Sequence, residues 1–249
     1  MREPALSDVA ANLSTVRGKI ADASRRSGRS PDAVRFVLVT KTVAPERVLE
    51  AVRAGAADLG ENKVQEGLGK AEALSGEPVR WSMIGHLQSN KAKELLRFAS
   101  EVQSLDRLSL ATTLEKRLQH LGRGLDVLVQ VNTSGEASKY GLAPDEVLAF
   151  LNELPAFDAL RPKGFMTLAT FTPDEAEVRR CFRVLREIRD RALNDAPQGA
   201  MLADLSMGMS GDYEWAIEEG ATIVRVGQAV FGPRPLPDSH YWPGAAGAD

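Results

Sequence analysis

The chain has 249 residues, 43% apolar and 26% charged, with 31 basic against 34 acidic side chains and a net charge of −3. That balance argues against an electrostatic nucleic-acid binder and excludes disordered and collagen-like chains. The single cysteine, Cys181, excludes a disulfide scaffold and a cysteine metal cluster.

No apolar run approaches the roughly 18 residues of a membrane-spanning helix. Glu3, Asp8 and Asp22 interrupt the basic N-terminus, against the acid-poor pattern of transit peptides. The expectation is a cytoplasmic protein with no membrane partner.

Val9, Leu13, Val16 and Ile20 recur at helical spacing and predict an N-terminal helix over about 7–28, ended by Gly28 and Pro31. Residues 34–40 (VRFVLVT) read as a strand, and Pro45 opens a helix that Gly55 closes. A short strand at 57–59 and a helix over 63–73 follow. Residues 81–84 make a third strand, and Ser89 is the expected cap of the next helix.

A fourth strand at 102–105 leads to a helix capped by Asp106, lined by Leu108, Leu114, Leu118 and Leu121, and stopped by Gly122. LDVLVQV (125–131) is the clearest strand, followed by a helix from Pro144 with Val147, Leu148 and Leu151 inward. Residues 165–169 read as the sixth strand.

Thr172-Pro173-Asp174-Glu175 has the form of a capping box. Its helix buries Val178, Phe182, Leu185 and Ile188, with Cys181 a packed thiol and the arginines on a solvated face. A strand at 202–205, a helix over 212–219 closed by Gly220, and a strand at 222–226 complete the alternation. The tail, with Pro233, Pro235, Pro237 and Pro243, reads as loop.

Alternating strands and helices with short connections imply a parallel sheet covered by helices. Eight such units fit the roughly 250 residues of an α/β (β/α)8 TIM barrel, an open doubly wound sheet being the alternative. The expectation is one domain over 1–249: the N-terminal helix at about 7–28, the barrel at about 34–232 and a tail at 233–249.

Barrel chemistry gathers where the strands end at their C-termini. There the chain places Lys41, Glu61-Asn62, Gly85-His86, Ser104, Asn132 to Ser134, Met166, Ser206 to Ser210, and Arg225 to Gly227. Lys41 shares a strand face with Val37 and Val39. An amine among valines has its charged form disfavoured and becomes a nucleophile suited to Schiff-base formation. The alternative is a strand-end lysine reaching into water.

SMGMSGD (206–212) after the seventh strand, with Gly227 after the eighth, suits a phosphate held by backbone N–H groups. Ser210 or Asp212 could equally cap its helix, and both roles are compatible. Arg225, inside the apolar run TIVRVG, needs a ligand or a buried carboxylate partner. His86 alone reads as readily as a turn residue, and His86, His120 and His240 are too scattered for a zinc site.

Six blocks, LVTKT (38–42), GENKVQE (60–66), WSMIGHLQSNK (81–91), VNTSGEASKYG (131–141), LSMGMSGD (205–212) and VRVGQAVFG (224–232), resemble in order the pyridoxal 5′-phosphate homeostasis proteins, the YggS/PROSC-like family. The resemblance covers about 34–232. It implies a barrel similar to the alanine racemase N-terminal domain, of the third pyridoxal-phosphate fold type.

It further implies that Lys41 holds pyridoxal 5′-phosphate as an internal Schiff base. Ser210, Gly227 and the backbone at Gln228 would hold the phosphate, Arg225 would face the pyridine nitrogen, and Asn62 and His86 would line the pocket. Thr40, Lys63, Gln228 and the stretch FMTLATF (165–171) depart from the family pattern, and Gln228 removes a hydroxyl contact to phosphate.

The racemase-like enzymes carry a further β domain with a second catalytic base, for which about 20 residues after the last strand leave no room. The expected function is therefore cofactor homeostasis and supply, influencing amino-acid metabolism, without catalytic turnover. Recipient apoenzymes would be transient partners, and the chain a monomer. The alternatives are a pyridoxal phosphate-dependent racemase or lyase, and aldolase-type chemistry at Lys41.

Overall fold

The computed structural model describes residues 7–195 and 202–233. After helix α1 (Ser7–Arg26) come β1 (Arg35–Val39), α2 (Pro45–Arg53), β2 (Asp58–Glu61), α3 (Val64–Ala73) and β3 (Arg80–Met83). A 3₁₀ turn (Ser89–Lys91) enters α4 (Ala92–Leu95), followed by β4 (Glu101–Leu105), α5 (Leu108–Leu121), β5 (Leu125–Gln130) and α6 (Val147–Glu153). The chain continues through β6 (Leu160–Met166), α7 (Glu175–Asp195), β7 (Asp204–Ser206), α8 (Tyr213–Glu218), β8 (Ile223–Val226) and α9 (Gln228–Phe231).

The eight strands form a closed parallel barrel in chain order, with β8 returning to β1 through Val37↔Arg225 and Leu38↔Val226. The open-sheet alternative is thereby excluded.

Strand alternation sorts the side chains into two environments. Leu38, Leu59, Val102, Val127, Val129, Leu205 and Val224 join the main core between barrel and helices. Val37, Leu128, Met166 and Ile223 form a separate small apolar cluster. Their strand parity also carries Ser82, Glu101, Gln103, Ser206 and Arg225, all buried. The barrel interior is therefore mixed, with a polar chain beside an apolar plug.

Helix α7 adds Val178, Phe182, Leu185 and Ile188 to the main core, each contributing about 1.5–3 kcal/mol on burial. Cys181 is buried beside them and free. Helix α1 packs on α8 and α9, where Asn12 donates its side-chain amide to the Val230 carbonyl at 3.0 Å.

Several local expectations shift. The sixth strand begins at Leu160, five residues early, because Arg161, Pro162 and Lys163 hide the strand pattern. The register slips there, between Val127 and Leu128 of β5, which removes the need for a Pro162 amide in an unbroken ladder. Ser89 lies inside its 3₁₀ turn, behind Gln88.

Asp106 does not cap α5, since Arg107 takes that position and bonds the Asp106 carboxylate at 2.6 Å. Pro144 precedes α6 by three residues. At α7 the capping carboxylate is Asp174, which accepts the Ala176 amide, while Thr172 turns the chain before it. The arginine face is also not merely solvated. Arg179 reaches Glu218 at 2.5 Å, and Arg183 and Arg186 reach Glu219, tying α7 to α8. The prolines at 235, 237 and 243 lie outside the described residues.

Candidate functional site

Lys41 directly follows the buried Thr40 at the C-terminal mouth and is half-buried. Val37 lies in the interior cluster and Leu38 in the outer core, so alternation brings Val39 to the inner side, and Lys41 follows two residues later in the turn beyond β1. Thr40 turns outward, donating its hydroxyl to Glu61 at 2.6 Å. Thr42 then takes φ 66°, a left-handed conformation costly for a β-branched residue. The strand has ended at Val39, and Lys41 and Thr42 form the turn that follows it.

Beside this end, the β8–α9 turn makes close backbone contact. A Cβ at Gly227 would lie 2.7 Å from the Val39 carbonyl oxygen, so only glycine permits the approach. The Gly227 and Ala229 amides both point to the Ser210 hydroxyl oxygen, at 3.3 and 3.4 Å. These are long bonds, near the limit for the interaction. The donors can therefore turn to a stronger anionic acceptor at little cost.

Asp212 bends the Ser210 loop by accepting the Met209 amide at 2.5 Å, and burial pushes its carboxyl pKa up. Neither Asp212 nor Ser210 makes a side-chain cap on α8. Gln228 starts α9, but the second amide directed at Ser210 belongs to Ala229. Residue type carries no signal for a backbone donor, so Ala229 was not legible in the sequence.

Arg225 is 3% exposed, and burial lowers its pKa to about 10, which leaves it a cation at neutral pH. It donates to the Ser206 hydroxyl and the Thr167 carbonyl, each at 2.7 Å, both neutral acceptors. Of the two alternatives, a ligand or a buried carboxylate, no carboxylate bonds it directly among the described residues. Asp212 favours its charge through space only.

Ser206 donates to Gln103 at 2.6 Å, and Gln103 to Glu101 at 2.7 Å. Glu101 also pairs with Arg35 at 2.6 Å, near the opposite mouth. A buried polar chain thus fixes Arg225 from below, through residues far apart in sequence.

The loops bearing Asn62 and His86 meet across neighbouring strand ends, through Gly85. A Cβ at Gly85 would collide with the Asn62 carbonyl oxygen, so these two loops touch backbone to backbone. The His86 ring stacks on Tyr140, with centroids 3.8 Å apart and planes 16° from parallel. Its buried Nδ1 stands 3.6 Å from Asp106, beyond hydrogen-bond reach.

Burial lowers the His86 pKa, with Asp106 opposing the shift and Arg107 adding to it. Nuclear magnetic resonance titration should place the His86 midpoint below the ordinary value of about 6.5. The folded state then binds fewer protons than the unfolded chain. The stability His86 contributes is complete above the ordinary imidazole value and is lost as pH falls from there through the lowered folded-state midpoint. A midpoint at or above the ordinary value would contradict the burial seen.

The profile of the family described as alanine racemase, N-terminal domain, matches residues 11–235. A curated pyridoxal phosphate homeostasis protein of Aquifex aeolicus is 41% identical over 225 residues, covering 89% of this chain and 96% of its own length. The chain belongs to the pyridoxal phosphate homeostasis protein family.

Solved structures agree with this family's fold. The crystal structure of an unknown protein from Bifidobacterium adolescentis matches with TM-score 0.86 at 34% identity, over 91% of this chain and 95% of that one. PipY of Synechococcus elongatus, solved with pyridoxal phosphate bound, matches with TM-score 0.79 at 30% identity, over 90% of this chain and 100% of PipY. Among the described residues no helix is long and apolar enough to cross a membrane, and no group of His, Cys, Asp or Glu could hold a metal ion.

Proposed function

We propose that this protein binds pyridoxal 5′-phosphate at the C-terminal mouth of its barrel and holds it exchangeably for supply to other enzymes. One observation carries the reading. The strand end bearing Lys41 lies against the Gly227 turn, whose amides converge with the Ser210 hydroxyl.

The residues present fit the cofactor. An amine, an anion cradle and a buried cation bonded only to neutral groups stand on three adjoining strand ends. When bound, the cofactor supplies an aldehyde that condenses reversibly with a primary amine. Lys41 would be that amine. Ser210 with the Gly227 and Ala229 amides would hold the phosphate, and the Gln228 backbone would border it.

Arg225 would face the ring nitrogen as a donor and keep it free of a proton, which weakens the ring as an electron sink. Asn62 and His86 would line the wall away from the phosphate. The curated relatives are named for homeostasis rather than for a reaction, and PipY's bound pyridoxal phosphate supports the same reading. We read residues 1–249 as one domain working as a cytoplasmic monomer, with apoenzymes as transient recipients.

The test is transfer. Cofactor-loaded protein mixed with the apo form of a pyridoxal phosphate enzyme should restore that enzyme's activity. The loaded protein alone should leave a panel of small L- and D-amino acids unchanged. Racemisation or elimination that disappears in His86→Ala would replace this reading with an enzymatic one.

A further inference from the structure

Behind the Lys41 turn, on the outer side of the barrel, lies a cluster that the binding site does not itself use. Lys70 of α3 is 4% exposed. Its ammonium has three protons and three acceptors: the Thr40 carbonyl at 2.5 Å, Glu61 at 2.7 Å and Glu66 at 2.6 Å. The same Glu66 oxygen accepts the Thr42 amide at 2.5 Å, and the Thr40 hydroxyl donates to the same Glu61 oxygen. The residues immediately before and after Lys41 are therefore both held by one cluster, buried at Lys70 and Glu61 and partly exposed at Glu66.

Such a cluster is a poor device for stability alone, because desolvating the charges offsets much of their attraction. Burial pushes the Glu61 carboxyl pKa up against the opposing effect of Lys70, and its second oxygen has no hydrogen-bond partner. What the arrangement does supply is geometry. Thr42 holds φ 66°, and a strained backbone persists only where its surroundings over-determine it. The Thr42 amide tether to Glu66 and the Thr40 tether to Lys70 are those surroundings.

Resting on the reading of Lys41 as the amine that bonds the cofactor, we infer that Lys70 and Glu66 are positioning residues. They clamp the Thr40–Thr42 turn so that the Lys41 amine is presented to the aldehyde. Neither touches the cofactor. Their effect passes through the backbone on both sides of Lys41, and the phosphate cradle, built on β7, β8 and α9, is independent of them.

The experiment compares two probes on the full chain. Pyridoxal 5′-phosphate can bond Lys41, whereas pyridoxine 5′-phosphate has the same ring and phosphate with an alcohol in place of the aldehyde. Lys70→Met keeps the stem and removes the donors, and Glu66→Ala removes the Thr42 tether while leaving the Lys70–Glu61 pair. If Lys70→Met fails to fold, Glu66→Ala decides.

Affinity and association rate for pyridoxal 5′-phosphate should fall about tenfold, while pyridoxine 5′-phosphate affinity stays within about twofold. Equal losses on both probes would show a general structural role and overturn the inference. So would unchanged binding of both. A borohydride-fixed adduct on Lys41 that forms normally in the variants overturns the clamp alone. No adduct on Lys41 in the unsubstituted chain overturns the underlying reading, and the clamp with it.

Discussion

Lys41→Ala is expected to abolish the borohydride-fixed adduct and weaken retention of pyridoxal 5′-phosphate about a hundredfold, or roughly 2.7 kcal/mol. Two strand-level facts lead there. Val37 is fully buried in the interior cluster, and Thr40, one residue past β1, bonds outward to Glu61. Lys41 and Thr42 then turn the chain at the rim, Thr42 with a left-handed backbone.

Removing the amine leaves the Ser210–Gly227–Ala229 cradle and Arg225 in place. Residual, non-covalent binding should therefore survive, with an affinity close to that for pyridoxine 5′-phosphate. Equilibrium titration with both compounds checks this. Unweakened binding with an adduct on another lysine would show that a different amine does the chemistry.

Gly227→Val should have the second large effect, on phosphate binding and stability together. The new Cβ would lie 2.7 Å from the Val39 carbonyl oxygen and 3.1 Å from the Val39 Cβ. Backbone cannot yield there without parting β8 from β1, whose pairing runs up to Leu38↔Val226 immediately below. Overpacking of this kind costs about 1–3 kcal/mol.

The Gly227 and Ala229 amides would move away from Ser210, so affinity for pyridoxine 5′-phosphate should fall at least about tenfold. Gly211 lies in the neighbouring loop with nothing within 4 Å of an added Cβ. Gly211→Ala should therefore change stability by no more than about 0.5 kcal/mol. Thermal unfolding and calorimetric titration of the pair separate crowding at the turn from general loop sensitivity. Equal behaviour of the two variants would contradict the close approach.

The features that were legible in the sequence are those written in local periodicity. The valines at 37 and 39 with Lys41, the Gly-rich 206–212 loop and the eight alternating units each depend on neighbours a few residues apart. Pro162 hid the start of β6 because a proline ordinarily argues against a central strand, and only the register slip with β5 accommodates it.

Arg225 announced itself as a buried charge, yet its partners were invisible. Ser206 and Thr167 meet it, and Gln103 meets Ser206, only after the barrel closes. Glu66 and Lys70 look like an ordinary surface pair one helical turn apart, and nothing local reveals that Lys70 is buried against Thr40 and Glu61. Caps failed for a related reason. Asp106 and Thr172 are good capping residues by type, but Arg107 and Asp174 hold the geometry that decides which one caps.

The central claim is that Lys41 carries the cofactor at this mouth. Its most direct test is the visible absorption spectrum of the purified protein with pyridoxal 5′-phosphate, before and after borohydride, with peptide mapping of the reduced product. The expected result is a visible band that reduction removes and a single reduced adduct on Lys41. No band after addition of pyridoxal 5′-phosphate, or an adduct on any other lysine, would contradict it.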